Sequence, residues 1–249
     1  MRVFTMYNIK CTVAYDGTFF AGWQIQKKAR TVQEEIEKAL SKMYKTRIKI
    51  TGSGRTDSGV HALNQVFNYH TPAFIPENSV TSGLNSLTSD DIVIKEIEYV
   101  SNDFHATKSA ISKTYEYLIL NTAKPSPFYR NHCWHISDYI EPGKLEKILK
   151  LFEGTHDFSS FCKKRSIVDK PIRTINTTSV RQIRDFLKIE INADGFLHNM
   201  VRNIVGTALH VYRKKLNPEI IKDMFNAKDR SAAGPTAPAK GLFLKKVYY

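Results

Sequence analysis

The sequence predicts an α+β protein made of two tandem split-βαβ halves, with mainly antiparallel or mixed sheets and helices on one face. Three observations carry this. Apolar–polar alternations at period two are interleaved with stripes at helical spacing. The order β-α-β-β-α-β occurs once up to about residue 105 and again from residue 132, with one extra helix. The 249 residues have 42% hydrophobic and 24% charged side chains, ordinary globular usage that excludes a disordered tail, a collagen-like fibre and a coiled coil.

In the first half, residues 7–15 put Ile9, Cys11, Val13 and Tyr15 on one face of a strand. A polar, basic loop leads to a helix over residues 31–44. Thr31 and Glu34 form a capping-box pair, and Val32, Ile36, Ala39, Leu40 and Met43 make the apolar stripe. A short strand is expected at Arg47–Ile50, then the Gly/Ser-rich loop TGSGRTDSG. A strand over 65–71, a weak helix over 79–87 and the strand IVIKEIEYV complete the half.

The second half opens with SAISKTYEYLIL, where Ile111, Lys113, Tyr115, Tyr117 and Ile119 share a face. A short strand HCWHI follows. Pro142 starts a helix with Leu145, Ile148, Leu149 and Phe152 inward, and Gly154 is expected to stop it. Strands at Arg173–Ile183 and Phe186–Ala193 precede a helix after Gly195 carrying Met200, Ile204, Val205, Ala208 and Leu209. Asn217-Pro218 caps another helix, and LFLKKVYY is a final strand. The domains are therefore expected at 1–105 and 106–249. The plan is ferredoxin-like and is shared by the RNA-recognition motif (RRM).

Charge adds a functional constraint. Thirty-seven Lys and Arg against 24 Asp and Glu give +13, which points to a polyanionic partner, nucleic acid first. The excess is uneven: residues 1–100 carry 12 basic and 10 acidic side chains, and residues 101–249 carry the other 25 and 14, a net of +11. Cys11, Cys133 and Cys162 are odd in number and far apart, which fits a reducing compartment and neither a disulfide framework nor a zinc site. His132-x-x-His135 has no further ligands in sequence, so no metal is expected. Without a signal-peptide core or a membrane-length apolar run, the expected location is the cytoplasm.

Three segments concentrate chemistry. In Gly54–Ala62 an inter-strand loop presents Arg55, Asp57 and His61 between glycines, although Asp-Ser-Gly is equally good turn chemistry. Tyr115 is placed to stack on a base, and is equally good core. Arg202 lies beside an apolar helix stripe, where a guanidinium needs a carboxylate or phosphate unless it reaches solvent. Two basic loops, Lys27-Lys28 with Arg30 and Lys163-Lys164-Arg165, suit polyanions or plain solvation. Cys162 beside the second is a candidate low-pKa nucleophile.

Read together, YDGTFFAGWQ, TVQEEIEKAL, GRTDSGVHA, FHA, SKTYEYLI, GTHDFSSFC, FLHNMVRNIVG and AAGPTAPAKGL resemble the TruA-type tRNA pseudouridine synthases over nearly the whole chain. The resemblance implies isomerisation of uridine to pseudouridine in the anticodon stem and loop of tRNA. It implies a homodimer with no cofactor or metal, whose two halves form a basic active-site cleft. It implies Asp57 as the essential aspartate, Tyr115 as the tyrosine against the target base, and Arg202 as the arginine paired with the aspartate. Arg55 would help to displace the base. The basic loops stay candidates on charge alone, with Lys27, Lys28, Lys163, Lys164 and Arg165 as candidate RNA contacts. One departure stands out: Thr107 and Lys108 follow FHA where the family usually has an arginine, and the lysine is expected on the opposite strand face. Three rivals remain: a synthase acting on another RNA site, a non-catalytic RRM-like RNA-binding module, and a small-molecule hydrolase built from Asp57, His61 and His156.

Overall fold

The computed structural model describes residues 6–163 and 171–249. The chain divides into two compact units, Met1–Ile111 with Leu244–Tyr249, and Ser112–Phe243. The end of the chain thus joins the first unit, whereas the sequence reading kept it with the second. Ile111 N–H donates to Tyr248 O (2.8 Å), Tyr249 Oη to Ala106 O (2.8 Å) and Asn64 Nδ2 to Lys245 O (2.7 Å).

The first unit runs β1 (Tyr7–Tyr15), α1 (Val32–Tyr44), β2 (Thr51–Gly52), β3 (His61–Thr71), α2 (Glu77–Leu87) and β4 (Ile92–Val100). Its strand order is β4-β1-β3 followed by β10 (Leu242–Tyr248), with β2 on β3. β1 is antiparallel to both neighbours, with Cys11 opposite Phe67 on β3 and Ile97 on β4. Ile9, Cys11 and Val13 are fully buried, and the predicted β1 matches residue for residue.

Two local expectations fail here. No strand forms at Arg47–Ile50; the ladder is made by Thr51–Gly52 instead. Ile48 N–H donates to Ser41 Oγ (3.0 Å) and Ile50 N–H to Glu37 Oε1 (3.1 Å), so side chains of α1 take donors that a strand would have used. The capping box is also absent. Val32 and Gln33 N–H donate to Gly22 O (3.3 Å) and Trp23 O (3.0 Å), so backbone carbonyls already satisfy the helix start. Thr31 makes no side-chain cap, and Glu34 pairs with Lys38 at 2.8 Å.

The second unit runs β5 (Ser112–Leu120), β6 (Trp134–His135), α3 (Pro142–Lys150), β7 (Gly154–Asp157), β8 (Ile172–Ile183), β9 (Phe186–Ala193), α4 (Met200–Arg213) and α5 (Ile220–Ala227). Its strand order is β5-β9-β8-β7, with β6 parallel to β5. β7 was not foreseen: α3 ends at Lys150, and Gly154 opens a strand rather than stopping a helix. β5 starts at Ser112, leaving Ile111 exposed outside it. Thr107 and Lys108 occupy a turn, not a strand face; both N–H groups point to His105 Nδ1 (3.2 and 3.3 Å), and Thr107 Oγ1 donates to Gly52 O (2.7 Å). No helix among the described residues is long and apolar enough to cross a membrane.

Candidate active site

Asp57 is half-buried at the start of a tight turn, with Val60 N–H donating to Asp57 O (3.1 Å), and Arg55 beside it is exposed. The loop is not held by its own residues alone. The β1–α1 connection, residues 16–31, lies against it. Trp23 N–H donates to Thr56 O (3.1 Å), Gly59 N–H to Phe20 O (3.3 Å), and the buried Tyr15 and Thr56 hydroxyls meet at 2.8 Å. Burial pushes the Tyr15 phenol up, keeping it neutral as a hydrogen-bonding group. Below the loop, Gln65 bonds Ser53 Oγ (2.5 Å) and Gly54 O (2.9 Å).

Two glycines make this contact possible. A Cβ on Gly17 would stand 2.0 Å from Val60 O, and one on Gly22, whose φ is +105°, 2.6 Å from Thr56 O. Only a residue without a side chain lets two backbones approach so closely. The YDGTFFAGWQ segment is therefore a brace for the Asp57 loop, a role that its sequence alone did not disclose.

His61 is not a loop residue. It begins β3, is buried, and its Nδ1 lies 3.1 Å from both Gly17 N and Asp16 Oδ1. His156 bonds Glu153 O (2.9 Å) and stacks on Phe225 at 4.5 Å. These contacts give each histidine a structural partner within its own unit.

In the second unit Tyr115 sits on β5 opposite Ile191 of β9, 8% exposed, its ring edge-on to Phe196 at 5.0 Å. Phe196 stands in the connection from β9 to α4, so the structure ties Tyr115 to the approach of the Arg202 helix. Lys113, two residues earlier on β5, is half-buried, and burial with Arg173 nearby pushes its ammonium down. The contact of Tyr115 with Phe196 could not be read from the sequence, because a phenylalanine carries no signal of its own.

Arg202, half-buried on α4, is oriented from 35 residues away. Its Nε donates to Ala237 O (2.8 Å), its Nη1 to Asn199 Oδ1 (3.2 Å), and Ala237 N–H returns to Arg202 O (3.0 Å). An arginine gripped at Nε has its planar fork aimed rather than floating.

The basic loops are simpler. Lys27 and Lys28 form the exposed two-residue turn between Gln26 and Ala29, with Lys28 at φ +59°. Lys163 is exposed, its N–H on His198 O (3.1 Å). Lys164 and Arg165 lie outside the described residues. The nucleophile reading of Cys162 fails. Its side chain is fully buried, and burial, with the Asp157 carboxylate adding to it, pushes the thiol up rather than down.

Comparison with known proteins decides the family. The model of the tRNA pseudouridine synthase family matches residues 12–107 and 148–249. The chain belongs to this family. It is 44% identical over 244 residues to tRNA pseudouridine synthase A of Bacillus subtilis (strain 168), covering 97% of this chain and 99% of that protein. The same enzyme of Thermoanaerobacter sp. (strain X514) is also 44% identical, over 98% of this chain and 100% of its own. A chain of a solved Cbf5-Nop10-Gar1 complex matches 80% of this chain and 53% of its own at 12% identity and a TM-score of 0.37, too slight to bear on fold or activity. Membership makes this pseudouridine synthase an isomerase that converts uridine to pseudouridine in tRNA, which rules out the hydrolase and the non-catalytic RNA-binding module.

Proposed function

We propose that this synthase modifies uridines in the anticodon stem and loop of tRNA, with Asp57, Tyr115 and Arg202 at the reacting nucleotide. We further propose that it acts in the cytoplasm as a homodimer, without cofactor or metal. The observation that carries the reading is the Asp57 loop: one ionisable side chain mounted on a turn whose path a second backbone segment fixes from outside. Preorganised placement of this kind is what the rearrangement needs.

The balance is simple. The N1–C1′ bond of uridine breaks, the base turns, and a C5–C1′ bond forms. N1 gains a proton and C5 loses one, so nothing is added or oxidised. An ionised Asp57 serves as nucleophile or base. Arg202 in this reading is the cationic partner of that carboxylate, as the family resemblance implies. Tyr115 holds the detached ring face-on; its hydroxyl proton passes to N1, and the phenolate oxygen so formed takes up the C5 proton. Extruding the nucleotide costs a few kcal/mol, and the exposed Arg55 fills the space it leaves. Lys27, Lys28 and Lys163, with Lys164 and Arg165, contribute phosphate contacts.

Carbodiimide-adduct mapping of an unmodified tRNA transcript after incubation tests the substrate site. New adduct stops in the anticodon arm are expected, and stops confined elsewhere would refute the site. Two variants test the roles. Tyr115→Phe keeps the ring contact with Phe196 and is expected to bind tRNA normally while turnover falls about a hundredfold. Normal turnover would confine the tyrosine to its ring. Arg202→Lys loses the Nε hydrogen bond to Ala237 and the bidentate fork, and a fall in kcat of about tenfold or more is expected. An unimpaired variant would remove the ion pair from the mechanism.

A further inference from the structure

Residues 229–237, Asp-Arg-Ser-Ala-Ala-Gly-Pro-Thr-Ala, follow α5 and pack back on α4. Arg230 is half-buried in this stretch. Its Nη2 donates to Asn203 Oδ1 (3.2 Å) and Thr236 Oγ1 (2.9 Å), and its Nη1 to Ala233 O (3.3 Å). Thr236 Oγ1 donates to the same Asn203 oxygen at 2.7 Å. Asn203, 1% exposed, uses its Nδ2 on Phe161 O (2.8 Å). Among the described residues Arg230's acceptors are therefore all neutral, so its fork holds geometry rather than an opposite charge.

The position of this triangle gives it meaning. Asn203 is the residue after Arg202, and Thr236 is the residue before Ala237. Arg202 and Ala237 exchange two hydrogen bonds, one from the guanidinium Nε to Ala237 O and one from Ala237 N–H to the Arg202 backbone carbonyl. The guanidinium of Arg230 thus clamps, from the next residue on each strand of contact, the pair that orients Arg202. Gly234 N–H on Thr207 Oγ1 (3.0 Å) pins the same segment one turn further along α4.

We propose that Arg230 is a positioning residue for Arg202, acting through a latch with Asn203 and Thr236. The inference rests on the reading that Arg202 serves the reaction. If the latch sets the aim of Arg202, loosening it costs turnover without costing tRNA affinity. Small displacements of a catalytic group are expensive: about an ångström can cost a hundredfold.

The test measures kcat and KM from tritium release at uridine C5, tRNA Kd, and Tm, for Arg230→Ala, Thr236→Val, Arg202→Lys and Arg230→Ala combined with Arg202→Lys. The expected result is a kcat loss of about tenfold to a hundredfold in Arg230→Ala, with Kd within about twofold. Thr236→Val should move kcat in the same direction and keeps the test alive if Arg230→Ala fails to fold. In the Arg202→Lys background, removing Arg230 should change kcat less than about twofold, because the Nε contact that it secures is already gone. Unchanged kcat in both latch variants overturns the proposal. So does a weakened Kd at unchanged kcat, which would make Arg230 an RNA phosphate contact, or an equal kcat loss in both backgrounds. Full activity of Arg202→Lys would instead sink the reading of Arg202 itself.

Discussion

Replacing Asp57 by Asn is expected to lower isomerisation by about a thousandfold or more while leaving the fold and tRNA affinity in place. The side chains are nearly the same shape, but the amide carries no charge, is no nucleophile, and accepts no proton. The bonds that set the loop's path run through its backbone and Thr56: Trp23 N–H on Thr56 O, Val60 N–H on Asp57 O, and the Tyr15–Thr56 hydroxyl pair. Those bonds survive the change, so the loop is expected to keep its backbone path in the variant. Phosphate contacts dominate affinity for RNA, and removing one carboxylate takes none of them away. A Kd within a few fold of wild type is expected, with no tritium released from uridine C5 on the wild-type time scale. An Asn variant that turns over like wild type would remove Asp57 from the chemistry. One that loses binding and activity together would make it a structural residue.

The sequence made some of this legible and hid the rest for physical reasons. β1 could be read because Ile9, Cys11, Val13 and Tyr15 alternate with residues that face away, and that alternation is a local property. Ile48 and Ile50 alternate too and are buried, yet their segment is no strand, because its partners are the side chains of Ser41 and Glu37 on α1. Alternation reports burial, not the identity of the hydrogen-bond partner. The Thr31–Glu34 pair failed for a related reason. Gly22 and Trp23 supply the capping carbonyls, and nothing near Thr31 announces them. Cys162 could not be judged from its basic neighbours in sequence, because its thiol is buried and burial pushes it up. At the site, Asp57 was visible within a nine-residue motif, whereas the brace that fixes it and the Ala237 carbonyl that grips Arg202 are long-range contacts. Single-sequence periodicity carries no information about those.

Gly206→Ala and Gly143→Ala should have opposite effects, although both place a methyl in a helix. Alanine is favoured over glycine in a helix by about 1 kcal/mol, since glycine loses more backbone freedom on folding. At Gly143, in the first turn of α3, nothing lies within 4 Å of the added carbon, so that gain is realised and Tm should rise by about 2–4 °C. At Gly206 the added carbon would lie 1.8 Å from Pro235 O and 2.9 Å from Ala237 N, both backbone. Backbone cannot swing aside as a flexible side chain does, so the returning segment must lift from α4. Overpacking costs about 1–3 kcal/mol and more when backbone is involved, which outweighs the propensity gain. A Tm loss of about 4–10 °C is expected. The displaced segment is the one that holds Arg202 through Ala237 O, so kcat should fall by about a hundredfold, beyond what the stability loss alone would produce at a temperature where the variant is folded. Thermal melts and single-turnover rates at 20 °C below the variant's own Tm separate the two effects. A Gly206→Ala protein as stable and active as Gly143→Ala would mean that the segment is not pressed against α4, and the grip on Arg202 would go with it.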